Sequence, residues 1–227
     1  MEIAELRNLN DIQRVEKRGI YKRSLCKSAG DSLFVDDCLQ KFNYCIQDLN
    51  QELTSIDVLS TKSIVYIITL VTWISEAMYS LKKRYRSIVM AEFCYSRENE
   101  LKQARDYLKA LRSFAIAHPL KTEQHSDYGM DGSLICIDIV LPSRSLSLHL
   151  DEHFRTLNHA GLHEAKPTQA DFYLHAYSRE IEHEVHSVYI GCTLSDIYHV
   201  GELYIDKLYA LDRYLRKMTK EGKRLKA

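Results

Sequence analysis

Apolar residues recur at intervals of three and four over the first half of the chain, the spacing that lines one face of an α-helix. Four helices are expected up to about His118. The first runs from about Ile3 to Lys27, with Gly19 a candidate break. Gly30-Asp31-Ser32 ends it and caps the second, about Leu33 to Leu53, where Phe34, Leu39, Phe42, Ile46 and Leu49 share a face. Ser60 or Thr61 starts the third. Its stretch Ser63–Leu81 places Ile64, Ile67, Ile68, Val71, Ile74, Met78 and Leu81 at helical spacing, and Val65, Leu70, Trp73 and Ala77 widen the stripe. That is the pattern of a central bundle helix, packed on most sides. Ser96 begins the fourth, with Leu101, Ala104, Leu108, Leu111 and Ala115 facing inward. Pro119 stops it, since proline biases the residue before it away from helical angles.

The period then changes. After a segment rich in turn formers, Ile135, Ile137, Ile139 and Leu141 alternate, Pro142-Ser143-Arg144 turns the chain, and Leu146, Leu148 and Leu150 alternate again. A small antiparallel β-hairpin over about 133–150 is expected. Two further helices follow, Thr168–Tyr189 and Ser195 to about Lys220. The expected fold is therefore mainly α: an up-and-down helical bundle with one small hairpin before two C-terminal helices. It reads as a single domain over 1–227, which could be subdivided into a four-helix bundle (1–120), a loop and hairpin (121–166) and a C-terminal helical pair (167–227).

Composition sharpens this picture. The chain has 227 residues, and its 31 Lys and Arg balance 31 Asp and Glu, so overall charge does not drive it onto a polyanion. Eight Gly and three Pro are sparse punctuation for an all-β fold. Charge at Glu2, Glu5 and Arg7 leaves no apolar core for a signal peptide, so a cytoplasmic protein is expected. The six cysteines form no C-x-x-C pair and read as reduced, mostly buried thiols. Glu76 interrupts an apolar run already shorter than the ~20 residues of a membrane span, so no membrane association is expected.

The segment that carries chemistry is Arg112-Ser113-Phe114-Ala115-Ile116-Ala117-His118-Pro119, at the end of the fourth helix. Arg144/His149 and Arg179/His186 have similar spacing, but only the first pair falls at a helix end before a proline. An Arg followed four to six residues later by His at such a position resembles the R-x4–6-H motif of the HEPN superfamily. The resemblance covers these eight residues and, by architecture, the four-helix portion. It implies a compact helical homodimer, in many members a metal-independent endoribonuclease and in others an RNA- or protein-binding relative, with toxin or defence roles common. It further implies His118 as acid–base group, Arg112 as charge stabiliser and Ser113 as an orienting polar group. Asn, Asp or His more often follows the Arg, so Ser113 departs from the usual pattern. RNA, a second copy and an antitoxin or other protein partner are the implied partners, with no cofactor.

The chemistry can be stated without the resemblance. RNA cleavage through the 2′-hydroxyl needs a base for that oxygen and an acid for the leaving one, and an imidazole titrating near ~6.5 serves both. A guanidinium stabilises the extra charge on pentacoordinate phosphorus. Six residues at ~100° place Arg112 and His118 about 240° apart around an α-helix. They converge only if the helix ends before His118 or if two chains pool residues.

Every histidine lies at or after His118. Glu180-x-x-His183, with His186 beside it, has the spacing by which a helix offers a carboxylate and an imidazole to a metal, which makes a His/Glu metal protein a minor alternative. A solvated polar helix face explains the same residues. The basic stretch Lys82-Lys83-Arg84-Tyr85-Arg86 complements a helix C-terminus, and the basic tail Arg213–Lys226 reads as a solvated helix end. Tyr173, Tyr177, Tyr198 and Tyr204 suit half-buried packing better than base stacking. No P-loop, G-x-G-x-x-G or G-x-S-x-G occurs. The remaining alternative is a non-enzymatic helical module that binds another protein.

Overall fold

Ser28 starts the first regular element. Its Oγ accepts a hydrogen bond from Asp31 N (3.1 Å) and donates to Asp31 Oδ2 (2.6 Å), satisfying a helix N-terminus that would otherwise leave donors open. α1 then runs Ala29–Leu53. The computed structural model describes residues 3–10, 12, 19–54, 59–117, 135–142, 153–164, 170–179 and 185–220. The other helices are α2 (Thr61–Lys82), the single turn α3 (Ser87–Met90), α4 (Glu98–Arg112) and α5 (Leu194–Lys220). The strands are β1 (Ile135–Val140), β2 (His153–Asn158), β3 (Gly161–Glu164), β4 (Phe172–Arg179) and β5 (Val185–Cys192).

The chain divides into two compact units. One comprises Met1–Ile3, Ser55–Thr69 and Lys102–Val200; the other comprises Ala4–Thr54, Leu70–Leu101 and Gly201–Ala227. The first is built on a five-stranded sheet in the order β1-β4-β5-β2-β3. All its pairings are antiparallel except β2 with β5, which is parallel. Phe172, Leu174 and Ala176 on β4, Ile190 and Cys192 on β5 and Leu157 on β2 are buried, and they alternate with residues that face the other way. Leu108, Leu111, Phe114 and Ile197 are buried in the same unit. β2 and β3 join through His159-Ala160, with Gly161 at φ +108°, a left-handed position that suits a residue without a Cβ.

The second unit is helical. Phe42, Ile46 and Leu49 of α1, Val71, Ile74 and Met78 of α2 and Leu203, Leu208, Leu211 and Leu215 of α5 are all buried. Gly19 lies against α5 so closely that a Cβ there would be 2.3 Å from Arg216 N, which only glycine permits.

Four expectations are corrected. The fold is α+β, with a five-stranded mixed sheet, and not a mainly α up-and-down bundle with a small hairpin. The helix expected over Thr168–Tyr189 is instead largely β4 and β5. Both faces of β4 carry apolar or aromatic rings, Phe172 and Leu174 on one and Tyr173 and His175 on the other, so the alternation that marks a strand is hidden. β1 does form within the expected hairpin, but its partner is β4, more than thirty residues on, with Val140 opposite Tyr173. The second arm of that hairpin, 143–150, lies outside the described residues. Between Ile3 and Lys27 the described residues hold two 3-10 turns, Gly19–Tyr21 and Arg23–Leu25, and no α-helix. Leu6 there hydrogen-bonds through both its N–H and its carbonyl to the Asn50 side chain, which replaces a helical partner.

Candidate functional site

α4 is amphipathic, with Leu101, Ala104, Leu108 and Leu111 buried and Lys102, Arg105 and Lys109 exposed. At Arg112 its winding changes. The chain continues from Ser113 to Ala117 as a π-helical turn, whose hydrogen bonds reach one residue further than in an α-helix, and this turn packs on β1. Such turns are rare and concentrate at functional sites. Arg112 is exposed at the junction, and Ser113 is buried, 5% exposed, with no hydrogen-bond partner for its Oγ among the described residues. His118 and Pro119 lie outside the described residues.

The winding decides how this motif can work. In an α-helix, positions 112 and 118 are about 120° apart by the shorter way round. A turn one residue wider, if carried on to position 118, would change this to about 110°. Neither winding brings them to one face.

Beyond the motif, the fold brings together rings that sequence spacing does not connect. Tyr107 of α4, His159 of the β2–β3 turn and His199 of α5 form a stack: Tyr107 and His159 are 5.0 Å apart between centroids, and His159 and His199 are 5.2 Å apart at 25°. His159 Nε2–H donates to the Asp196 carbonyl at 2.8 Å; the oxygen only accepts, so the proton is on Nε2. Burial pushes the Tyr107 phenol well above its ordinary value, with Cys192, Asp196 and Asp171 adding in the same direction. Its hydroxyl is buried without a hydrogen-bond partner among the described residues. Thr193 caps α5 through Asp196 N (3.1 Å), and Asp171 Oδ2 accepts from Leu194 N (2.7 Å), so this helix N-terminus is already satisfied. Only the inward position of Tyr107 on α4 is legible in the sequence; its meeting with His159 and His199 depends on the β2–β3 turn.

A second row crosses the outer face of the sheet. His175 stacks on Tyr189 at 4.6 Å and 10°, and Tyr189 on Phe154 at 5.6 Å and 24°, which are register partners on β4, β5 and β2. Tyr173, Tyr198 and Tyr204 are buried, and the Tyr204 hydroxyl accepts from Ser75 Oγ, so their packing role stands.

The metal alternative loses its helical premise. Glu180 and His183 lie outside the described residues, and His186 is in β5 opposite Ser178. Among the described residues no three His, Cys, Asp or Glu side chains gather as a metal site. α2 is the one described helix long and apolar enough to cross a membrane by length and composition, and 56% of its apolar window is buried within the protein. Comparison with protein families, with curated proteins and with solved structures finds no match for this chain.

Proposed function

We propose that this chain is a metal-independent endoribonuclease resembling the HEPN superfamily in its Arg112–His118 motif, and that its active site is pooled between two copies. The observation that carries the reading is the π-helical turn that begins at Ser113, directly after exposed Arg112. It marks the motif as a place where a regular helix is given up, and a helical winding carried on to position 118 would set Arg112 and His118 of one chain on different faces. In this reading Arg112 of one copy works with His118 of the other. His118 takes the proton from the 2′-hydroxyl, whose oxygen attacks the adjacent phosphorus, and Arg112 stabilises the charge that builds there. The 5′-oxygen leaves with a proton, and a 2′,3′-cyclic phosphate remains. Ser113, buried beneath the turn, is a positioning residue.

The test is incubation of purified protein with mixed single-stranded RNA in EDTA. Wild type should cleave and leave cyclic-phosphate ends. His118→Ala should lose cleavage by at least a hundredfold, in line with removal of an acid–base group, and keep the wild-type circular dichroism spectrum. Cleavage retained by His118→Ala, or seen only with added metal, contradicts the reading.

A further inference from the structure

In the helical unit a single antiparallel bridge brings together two basic stretches that lie about sixty positions apart in the chain. Cys26 pairs with Tyr85, Lys27 N donates to the Arg84 carbonyl (3.0 Å) and Arg86 N donates to the Leu25 carbonyl (3.0 Å). Lys27 is thereby set beside Arg84 and Arg86, with Lys22 and Arg23 just before the bridge on one stretch and Lys82 and Lys83 just before it on the other, and with no acid in either stretch. Arg23, Lys27, Lys83 and Arg86 are exposed. The neighbouring Asp31 is engaged locally: Ser28 Oγ donates to it, and Arg84 Nη1 lies 3.2 Å away, which together hold its carboxyl below the usual range. The other exposed acids on adjoining elements are Asp36 and Asp37 on α1, Glu76 on α2 and Glu92 after α3.

Two exposed rings continue the same surface. Arg84 sits over Phe34, 4.1 Å from its centroid, and Lys83 sits over Tyr79 at 4.0 Å. Phe34 is 37% and Tyr79 65% exposed. A helix C-terminus by itself explains Lys82 and Lys83; it does not explain cations recruited from residues 22–27, nor flat rings left open among them. Cations for phosphates, interleaved with rings for bases, are the recurring means of holding single-stranded nucleic acid without reading its sequence.

We propose that this face, Arg23, Lys27, Lys83 and Arg86 with Phe34 and Tyr79, binds single-stranded RNA, the cations tracking the phosphates and the rings stacking bases. The choice of RNA among polyanions rests on the endoribonuclease reading; the charge and the rings do not.

Fluorescence anisotropy with a labelled 2′-O-methyl uridine 12-mer tests it, since that probe lacks the attacking hydroxyl and survives the wild-type protein. Lys27→Ala/Lys83→Ala/Arg86→Ala should bind at least tenfold more weakly at 100 mM salt. It should also flatten the dependence of log K on log salt by about 2, at ~0.7 per lost phosphate contact. Tyr79→Ala should weaken binding about tenfold. Lys27, Lys83 and Tyr79 are exposed and Arg86 gives up one bond, Nε to the Cys26 carbonyl (3.2 Å), so the circular dichroism melt should shift by no more than about 4 °C. Wild-type affinity and salt slope in the triple variant overturn the proposal. So does wild-type protein that ignores the oligonucleotide and sediments with phosphatidylserine vesicles. The two readings fail separately: a triple variant that binds normally, beside a His118→Ala variant that cannot cleave, removes this face and leaves the nuclease. Binding lost in the triple variant, with a wild type that never cleaves, does the reverse.

Discussion

The two units bury polar groups of different kinds, charged side chains in the helical unit and tyrosine and serine hydroxyls in the sheet unit. In the helical unit Lys207, 4% exposed, puts its Nζ 2.6 Å and 2.8 Å from the two Glu98 carboxylate oxygens. Asp212, 2% exposed, accepts from Ile20 N (3.2 Å) and has Arg216 Nε 2.9 Å away. Lys207 and Asp212 each face an opposite charge, although Arg84 Nε and Arg216 Nε and Nη2 are buried without a hydrogen bond among the described residues. In the sheet unit the buried hydroxyls of Tyr107 and Ser113 have no partner among the described residues. A desolvated hydroxyl left unpaired costs about 1–3 kcal/mol, so the sheet unit sustains a loss beside its candidate motif. Local costs of this kind persist where something other than stability keeps them, which is why the orphaned Ser113 hydroxyl and the π-helical turn point to the same place.

The largest expected effect is in the helical unit. Asp212→Ala should destabilise the protein by about 3 kcal/mol, because it leaves Arg216 without its counter-charge and Ile20 N–H without an acceptor. Urea unfolding reads this directly. A loss under about 0.5 kcal/mol would mean that Asp212 is not holding the Gly19–Tyr21 turn against α5.

The same measurement in the sheet unit should change sign. Tyr107→Phe and Ser113→Ala each remove a hydroxyl that satisfies nothing, so stability should hold or rise by about 1 kcal/mol. If Ser113 positions the turn, Ser113→Ala should lower RNA cleavage while the urea midpoint holds or rises, a separation that a purely structural serine would not give. Destabilisation by either variant would erase the contrast between the units.

The smallest effect is read on the alkaline side. In the helical unit burial raises the thiols of Cys38 and Cys45 from 9.0 to about 11. Unfolded, these thiols ionise near 9, so between pH 9 and 11 the folded state retains protons that the unfolded state has released. Stability is therefore intact below pH 9 and declines as pH rises toward 11. Urea midpoints across that window should fall, and Cys45→Ala should fall less steeply, whatever its absolute stability. A slope unchanged in Cys45→Ala would assign the alkaline loss elsewhere.

Legibility in the sequence followed the range of the contacts, and it failed once in each unit. α2, α4 and α5 announce themselves, because one face of each is apolar at helical spacing and Ser60 and Thr193 cap their N-termini at α2 and α5. The leading segment misled: Leu6, Leu9, Ile12 and Ile20 are all buried at intervals a helix could explain, yet Leu6 docks on Asn50 and Gly19 wedges against α5. Those are long-range contacts that periodicity cannot encode. β4 failed for a different reason. Tyr173 and His175 pack rings on the outer face while Phe172 and Leu174 fill the core, so apolarity no longer alternates. Of the candidate site, exposed Arg112 at a helix end was readable from spacing and Pro119, but the burial of Ser113 and the π-helical winding were not. A π-helical turn has no compositional mark, and this one packs against β1, a strand that begins eighteen residues further on.

The central claim is a site shared between two copies, and complementation tests it most directly. Arg112→Ala and His118→Ala proteins, each inactive alone, are unfolded together in urea, refolded at equal concentration and assayed on single-stranded RNA in EDTA. In a dimer with two pooled sites, half of the randomly assembled dimers are mixed, and each has one intact Arg112–His118 pair. The account predicts about a quarter of wild-type activity from the mixture. A mixture as inactive as its components would contradict it.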